Sequence, residues 1–326
     1  MKSGLLNLCI CFLVSIIISP LIIKWLRKLK FGQSILVYVE QHKSKSGTPT
    51  MGGIIIIISA LIGYLIFFGD NNILATISIL SFVFFGLLGF LDDFIKIKFK
   101  QNEGLKPYQK VIGQLGLSII IAIYIYMSEL VGTKILLPFN WGEVDIGLWI
   151  IPFVVFFFIA VVNSVNLIDG LDGLCGGVSV VVLSVLSIIL MLISKTFDGV
   201  YLSEINNIII VTLGVVGAIL GFLCFNSFPA KVFMGDTGSL AIGGFLSAVL
   251  ALSKEYMLML IIGFAFVLTV VSVVIQVSVY KLTKKRVFKM SPMHHHFESM
   301  MHEAKVTNLY MILTLIIGVL TISFYL

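Results

Sequence analysis

The sequence predicts an all-α integral membrane protein of about ten transmembrane helices, with both termini outside and the functional side chains gathered on the cytoplasmic face. Three observations carry this. Of the 326 residues, 59% are hydrophobic and only 12% charged, and a mean hydropathy of +1.12 far exceeds what a soluble domain needs to fill its core. The apolar residues fall in runs near the length of about 20 residues that a helix needs to cross about 30 Å of hydrocarbon. The loops between the runs alternate between rich and poor in basic residues.

Taken in order, the first run, 4–23, follows Lys2, but no small-residue cleavage site follows it. The stronger positive cluster of Lys24, Arg27, Lys28 and Lys30 lies beyond it, so it reads as a retained span and not as a signal peptide. Further runs lie near 51–68, 73–91, 109–127, 148–165, 174–193, 207–224, 238–252, 256–280 and 307–325. The shorter ones are accommodated by local thinning of the bilayer or by longer neighbours. Ten spans sort the loops into two sets. One set holds eighteen of the 22 Lys and Arg residues; the other, with both termini, keeps only Lys2, Lys134, Lys195 and Lys254. Positive loops stay cytoplasmic, which places the rich set inside and both termini outside. The chain, 1–326, reads as a single multi-pass membrane domain. The outward segment 128–147, rich in Gly, Pro and aromatic residues, reads as a small hairpin. Cys9, Cys11, Cys175 and Cys224 show neither CxxC nor metal spacing and read as apolar thiols in or beside spans.

Each basic loop carries a compact polar group. In HKSKSGTPTMGG, the glycines and Pro49 specify a non-helical backbone that exposes N–H groups beside Lys45 and Thr50, an arrangement that can hold an anion. In LDDFIKIKFK, Asp92, Lys96 and Lys100 stand four residues apart and share a helix face. NSVNLIDGLDG, 163–173, closes an apolar run with Asn166, Asp169 and Asp172, and FNSFPAKVFMGDTGS brings Asn226, Phe233, Asp236 and Ser239. VFKMSPMHHHFE holds His294, His295 and His296. Consecutive helical residues point about 100° apart, so three adjacent histidines do not ligate one metal from a helix, and binding of an anion is the better reading.

A carboxylate drawn to the middle of a membrane costs about 2.5–3.5 kcal/mol, so ionisable groups near spans are functional candidates by default. Asp92, Asp93, Asp169, Asp172 and Asp236 all fall on the same side. Carboxylates, amides and hydroxyls suit Mg²⁺, which takes one or two carboxylates plus phosphate oxygens, and the adjacent lysines suit phosphates. The expected substrate is a phosphorylated, diphosphate-containing molecule handled with Mg²⁺ at the inner membrane surface.

GTPTMGG (47–53), LDDFIK (91–96), NLIDGLDGL (166–174), FMGDTGSL (233–240) and FKMSPMHHHFE (288–298) occur in an order that resembles the bacterial phospho-N-acetylmuramoyl-pentapeptide-transferase family. That family lies within the polyprenyl-phosphate N-acetylhexosamine-1-phosphate transferase superfamily. The resemblance implies transfer of phospho-N-acetylmuramoyl-pentapeptide from its UDP-linked donor to undecaprenyl phosphate, giving lipid I and UMP with Mg²⁺. It places the reaction at the bacterial plasma membrane. It also implies a lipid-bilayer setting, no nucleic acid partner and a homodimer. By the same resemblance Asp92, Asp93, Asp236 and His294 are catalytic, and Asp236 and Asp169 hold the metal. Lys45, Thr50, Lys96, Lys100, Asn166, Asp169, Asp172, Asn226, Phe233, Ser239, His295 and His296 bind substrate.

The sequence departs from the family pattern at Ile168, Cys175, Tyr108 and in the segment after HHHFE; none of these removes a charged catalytic residue. For Asp92 two roles stand: general base or orienting group towards the lipid phosphate, or nucleophile. A phosphate monoester has its second pKa near about 6 and hardly needs a base, although neighbouring carboxylates raise that value; single displacement is the favoured reading. Two rivals are weighed: a sister transferase acting on N-acetylglucosamine-1-phosphate, against which SPMHHHFE argues, and an ion-coupled transporter. The transporter calls for charges near the bilayer midplane, whereas 54–68 and 178–193 are free of charge.

Overall fold

The computed structural model describes residues 2–28, 47–68, 72–99 and 104–326. In chain order the helices are α1 (Lys2–Lys28), α2 (Gly53–Phe67), α3 (Ile73–Lys98), α4 (Pro107–Met127), α5 (Ile150–Ile168), α6 (Leu174–Ile193) and α7 (Gly199–Asn226). They continue with α8 (Gly235–Leu252), α9 (Leu258–Ile261), α10 (Phe264–Thr283), α11 (Met293–Glu298) and α12 (Glu303–Ser323). Among the described residues nine helical segments are long and apolar enough to cross a membrane, and α2 is a shorter apolar helix of 15 residues. Each apolar run of the sequence therefore finds a helix. Several helices outrun the hydrocarbon stretch, as α7 does at 28 residues, because the helix continues through the polar residues at its ends.

The ninth expected span, 256–280, is corrected by the structure. The segment after α8 folds back, with the Glu255 amide donating to the Leu250 carbonyl at 2.8 Å and Tyr256 buried edge-on against Phe153 and Phe157. One turn of α9 and Gly263 then precede α10, so the helix long enough to cross runs from 264 to 283. The pull of a large aromatic ring into a core pocket decides this, which a reading of hydropathy along the chain does not register.

α8 is the centre of the bundle: 89% of its apolar window is buried, against 22% for α10 and 28% for α4. It lies against α3 and α5, and α1 lies along α7. The close approach of α3 to α8 depends on Gly89, where a β-carbon would overlap the Asp236 carbonyl. Several serines inside the spans, Ser59, Ser78 and Ser247 among them, return their hydroxyls to the carbonyl four residues back, which pairs these donors within their own helices.

The two ends of the bundle differ. At one end α3 is capped by Glu204 of α7, which accepts from the Ile73 and Leu74 amides at 3.1 and 2.8 Å. The expected hairpin is there too: β1 (Lys134–Leu136) pairs antiparallel with β2 (Glu143–Asp145), Ile135 opposite Val144. It is tied to the bundle by Leu136 N–H to the Lys254 carbonyl and by Phe139 N–H to the Tyr325 hydroxyl, both 3.0 Å. At the other end α3, α5, α7 and α10 finish and α2, α4, α6, α8 and α12 begin, and there the carboxylates collect.

Candidate active site

The site is built from helix ends. Asp92 and Asp93 lie in the last turns of α3, both buried, and Asp236 lies in the first turn of α8. Asp93 caps α8: its carboxylate accepts from the Asp236 amide at 3.3 Å, the Thr237 amide at 2.9 Å and the Thr237 hydroxyl at 2.7 Å. A carboxylate at the positive end of a helix dipole is favourable, and here it locks α8 to α3 so that Asp236 faces Asp92. Asp92 accepts from the Leu105 amide at 2.9 Å through Oδ1 and pairs through Oδ2 with Lys96, one turn further along α3.

Asp236 is the hub. Lys96 reaches its Oδ2 at 2.9 Å and Lys110, from the first turns of α4, at 2.7 Å. Asn166, from the last turn of α5, donates to its Oδ1 at 2.7 Å and to Ser239 Oγ at 2.8 Å. One oxygen from each of Asp92, Asp93 and Asp236 lies within 4.8 Å of the others. Three carboxylates against two ammonium groups leave a net negative pocket made only of oxygen donors. That donor set fits a hard divalent cation together with phosphate oxygens.

The loop after α5 supplies the next layer. Burial, followed by the charges of Asp236, Asp93 and Asp172, pushes the Asp169 carboxyl up to about 8, while the Gly235 amide opposes the shift. Asp172 is turned into the protein, accepting from the Ala230 amide at 2.9 Å, and its carbonyl takes the Thr307 hydroxyl of α12 at 3.1 Å. Asn226 is likewise buried and spans the following loop by donating to the Val232 carbonyl at 2.9 Å. Phe233 is half-buried.

The histidines form α11. His294 is buried, and neither of its ring nitrogens has a hydrogen-bond partner among the described residues. His295 Nδ1 meets Glu298 at 2.7 Å, and His296 Nδ1 accepts from the Lys289 amide at 3.3 Å. All this presses on Gly170: a β-carbon there would lie 2.5 Å from His294 Nε2 and 2.9 Å from His295 Nε2. Burial and the neighbouring His295 lower the His294 ring to about 3, so it is neutral at pH 7 and offers hydrogen bonds, not charge.

Two readings of the sequence change. The glycine loop was expected to expose free N–H groups, but those of Gly52 and Gly53 donate to the Phe233 and Met234 carbonyls at 2.8 and 2.9 Å, and Phe233 N–H donates to the Pro49 carbonyl at 2.8 Å. Backbones without side chains between them pair directly, and this pairing places buried Thr50 against Gly235 beside the cluster. Lys45 and Lys100 lie outside the described residues. Lys110 was missed as a site residue. In the sequence it is one of eighteen basic residues in the rich loops, and only the approach of α4 to α8 singles it out. At the family departures, Tyr108 is exposed, Ile168 is fully buried, and Cys175 packs inside with its thiol near the Val165 carbonyl.

The apolar helix bundle thus carries an acidic, lysine-balanced cluster at the ends of its helices, an arrangement suited to phosphate chemistry at a membrane surface. In keeping with this, residues 74–255 match the model of glycosyl transferase family 4, and residues 45–57 match signature 1 of phospho-N-acetylmuramoyl-pentapeptide-transferases. Phospho-N-acetylmuramoyl-pentapeptide-transferases from Clostridium novyi (strain NT), Clostridioides difficile (strain 630) and Thermoanaerobacter sp. (strain X514) are 42%, 43% and 44% identical to this chain. They cover 97%, 96% and 100% of it and are themselves covered over 95%, 95% and 99% of their length. The chain belongs to the phospho-N-acetylmuramoyl-pentapeptide-transferase family.

Proposed function

We propose that this multi-pass membrane protein transfers phospho-N-acetylmuramoyl-pentapeptide from its UDP-linked donor to undecaprenyl phosphate, giving lipid I and UMP in the first membrane step of peptidoglycan synthesis. The observation that carries the reading is the meeting of Asp92, Asp93 and Asp236 with Lys96 and Lys110 at the helix ends. Relatives of that name match the chain from end to end. The excess of basic residues in the loops at this end supports a position on the cytoplasmic side of a bacterial plasma membrane, where the UDP-linked donor is dissolved and the lipid phosphate lies at the interface.

The reaction breaks one P–O–P link, between the two phosphates of the donor, and makes another between the lipid phosphate and the sugar phosphate. It is nearly isoenergetic, so catalysis comes from positioning and neutralisation of charge. Asp236 with Asp92 or Asp169 would hold Mg²⁺, and the bound ion would supply Lewis-acid stabilisation of the diphosphate. Lys96 and Lys110 release part of their hold on Asp236 to meet the phosphate that leaves as UMP. Asn166, itself held on Ser239 Oγ, fixes the Asp236 rotamer, and Asp93 fixes the backbone that carries it. Asp92 has one oxygen on the Leu105 amide and the other on Lys96, which suits a group that orients the incoming phosphate or takes its proton more than a free nucleophile. The reading is single displacement. Asn166, Asp169, Phe233 and the histidine helix form the wall that receives the nucleotide and its sugar, and Asp172 and Asn226, bonded inward to the Ala230 amide and the Val232 carbonyl, brace the loops behind it.

The test is release of UMP by the detergent-purified protein offered UDP-N-acetylmuramoyl-pentapeptide or UDP-N-acetylglucosamine, each with undecaprenyl phosphate and Mg²⁺. Release from the first donor alone is expected. Release from the second alone moves the protein to the sister branch, and release from neither overturns the transferase reading.

A further inference from the structure

A single amide stands in the apolar run of α10. Gln276 lies between Ile275 and Val277, which are exposed on the outer face of the bundle, as is Val274. A primary amide set among apolar neighbours is costly unless both of its ends are bonded. Here both are. Its Oε1 accepts from the Val287 amide at 3.1 Å and the Phe288 amide at 2.9 Å, and its Nε2 donates to the Phe288 carbonyl at 3.5 Å. One turn earlier on the same face, Ser272 accepts from the Met293 amide at 3.0 Å. Its own hydroxyl proton goes to the Thr269 carbonyl at 2.7 Å, which leaves the oxygen as an acceptor. Two side chains of α10 thus hold both ends of the segment 287–293, which returns the chain to the histidines.

The bonds continue inward. Lys289, next to Phe288, donates its amide to His296 Nδ1, so the proton of a neutral His296 ring stands on Nε2. His294 follows Met293 directly and packs against Gly170, beside Asp169. We propose that Gln276 and Ser272 are positioning residues of the transferase site: they clamp 287–293 to the end of α10, set His294 against Gly170 and fix which nitrogen His296 presents. Neither touches the reacting atoms; both act through the histidines. The activity part of the inference rests on the transferase reading, and the clamp itself does not.

Two measurements on the full-length protein in detergent test it. In Gln276→Leu, amide hydrogen exchange over 287–293 is expected to rise, and Gln276→Glu, which keeps the acceptor for Val287 and Phe288, returns it most of the way. In the same variants kcat/KM for the UDP-linked donor is expected to fall about tenfold to about 100-fold with leucine and to recover at least half with glutamate. In a His294→Ala background the leucine substitution should add less than about a twofold loss, because residues that act through one another are not additive. Unchanged exchange in Gln276→Leu overturns the clamp, whether or not the protein turns the donor over. A full further loss in the His294→Ala background overturns action through the histidines. Absence of UMP release from the unmutated protein counts against the transferase reading alone and leaves exchange to decide the clamp.

Discussion

Asp236 is held by four neighbours from three other helices: Asp93 at its amide, Asn166 at one oxygen, Lys96 and Lys110 at the other. Such a residue is expected to be needed for turnover but not for assembly, since the Asp93 cap binds its backbone and not its side chain. Asp236→Asn and Asp92→Asn should each lower UMP release by about 10²-fold or more, with unchanged elution on gel filtration; activity within a factor of about two of the parent removes that residue from the mechanism. Lys110→Met should lose a comparable factor, and it tests a residue that the sequence did not single out. With the lipid acceptor omitted, no phosphoryl-enzyme should accumulate from the UDP-linked donor. Its isolation would replace single displacement by a covalent Asp92 intermediate. On the far end of the bundle, burial pushes the Glu255 carboxyl up to about 8, and its Oε2 has no hydrogen-bond partner among the described residues. A folded carboxyl that holds its proton above its unfolded value binds more protons than the unfolded chain between about 4.5 and about 8. Its contribution to stability therefore falls as pH rises through that window. The melting temperature in detergent should drop from pH 6 to pH 9, and Glu255→Gln should flatten the drop; an equal drop in the variant contradicts the assignment.

At the scale of elements, the site is a joint between helix ends, and its precision depends on how closely α3 and α8 approach. Gly89→Ala places a β-carbon on the Asp236 carbonyl, so α8 must move. The expected result is loss of activity together with a lower melting temperature. Gly170→Ala should leave the bundle intact and displace only α11, costing activity without the fall in melting temperature; equal destabilisation by both would mean that the histidine helix is part of the core. Much of this joint was legible in the sequence. Asp92 and Lys96 at i,i+4 do share a face, and the aspartate motifs do meet, because a helix that crosses a bilayer has its ends at the surface and leaves polar residues nowhere else to go. Lys110 was hidden because a lone lysine at a helix start looks like a solvated one. The glycine loop was misjudged because free and paired N–H groups have the same sequence signature. Asp172 and Asn226 could be seen as polar residues near the site, yet only the folded loops reveal that their side chains bond to the Ala230 amide and the Val232 carbonyl.

For the whole molecule, the alternation of basic loops predicts an orientation that single cysteines can report. In intact cells, with Cys9, Cys11, Cys175 and Cys224 replaced by alanine, a membrane-impermeant maleimide should label Glu143→Cys in the outward hairpin and spare Lys285→Cys beyond α10; the reverse pattern would turn the protein over. Nine of the ten expected spans appear among the described residues as helices long enough to cross, and the run near 51–68 as a shorter apolar helix, because long apolar runs are a strong and redundant signal; the break before α10 depends on Tyr256 finding a pocket between Phe153 and Phe157, a contact between residues about a hundred positions apart. The central claim is that this one acidic cluster transfers phosphosugar to a lipid phosphate. The most direct test is UMP release from UDP-N-acetylmuramoyl-pentapeptide by the parent protein and Asp236→Asn, with undecaprenyl phosphate and Mg²⁺ each supplied or withheld. Release that requires both additions and disappears in Asp236→Asn is the predicted result. Release that persists in the variant, or that proceeds without the lipid phosphate, would contradict it.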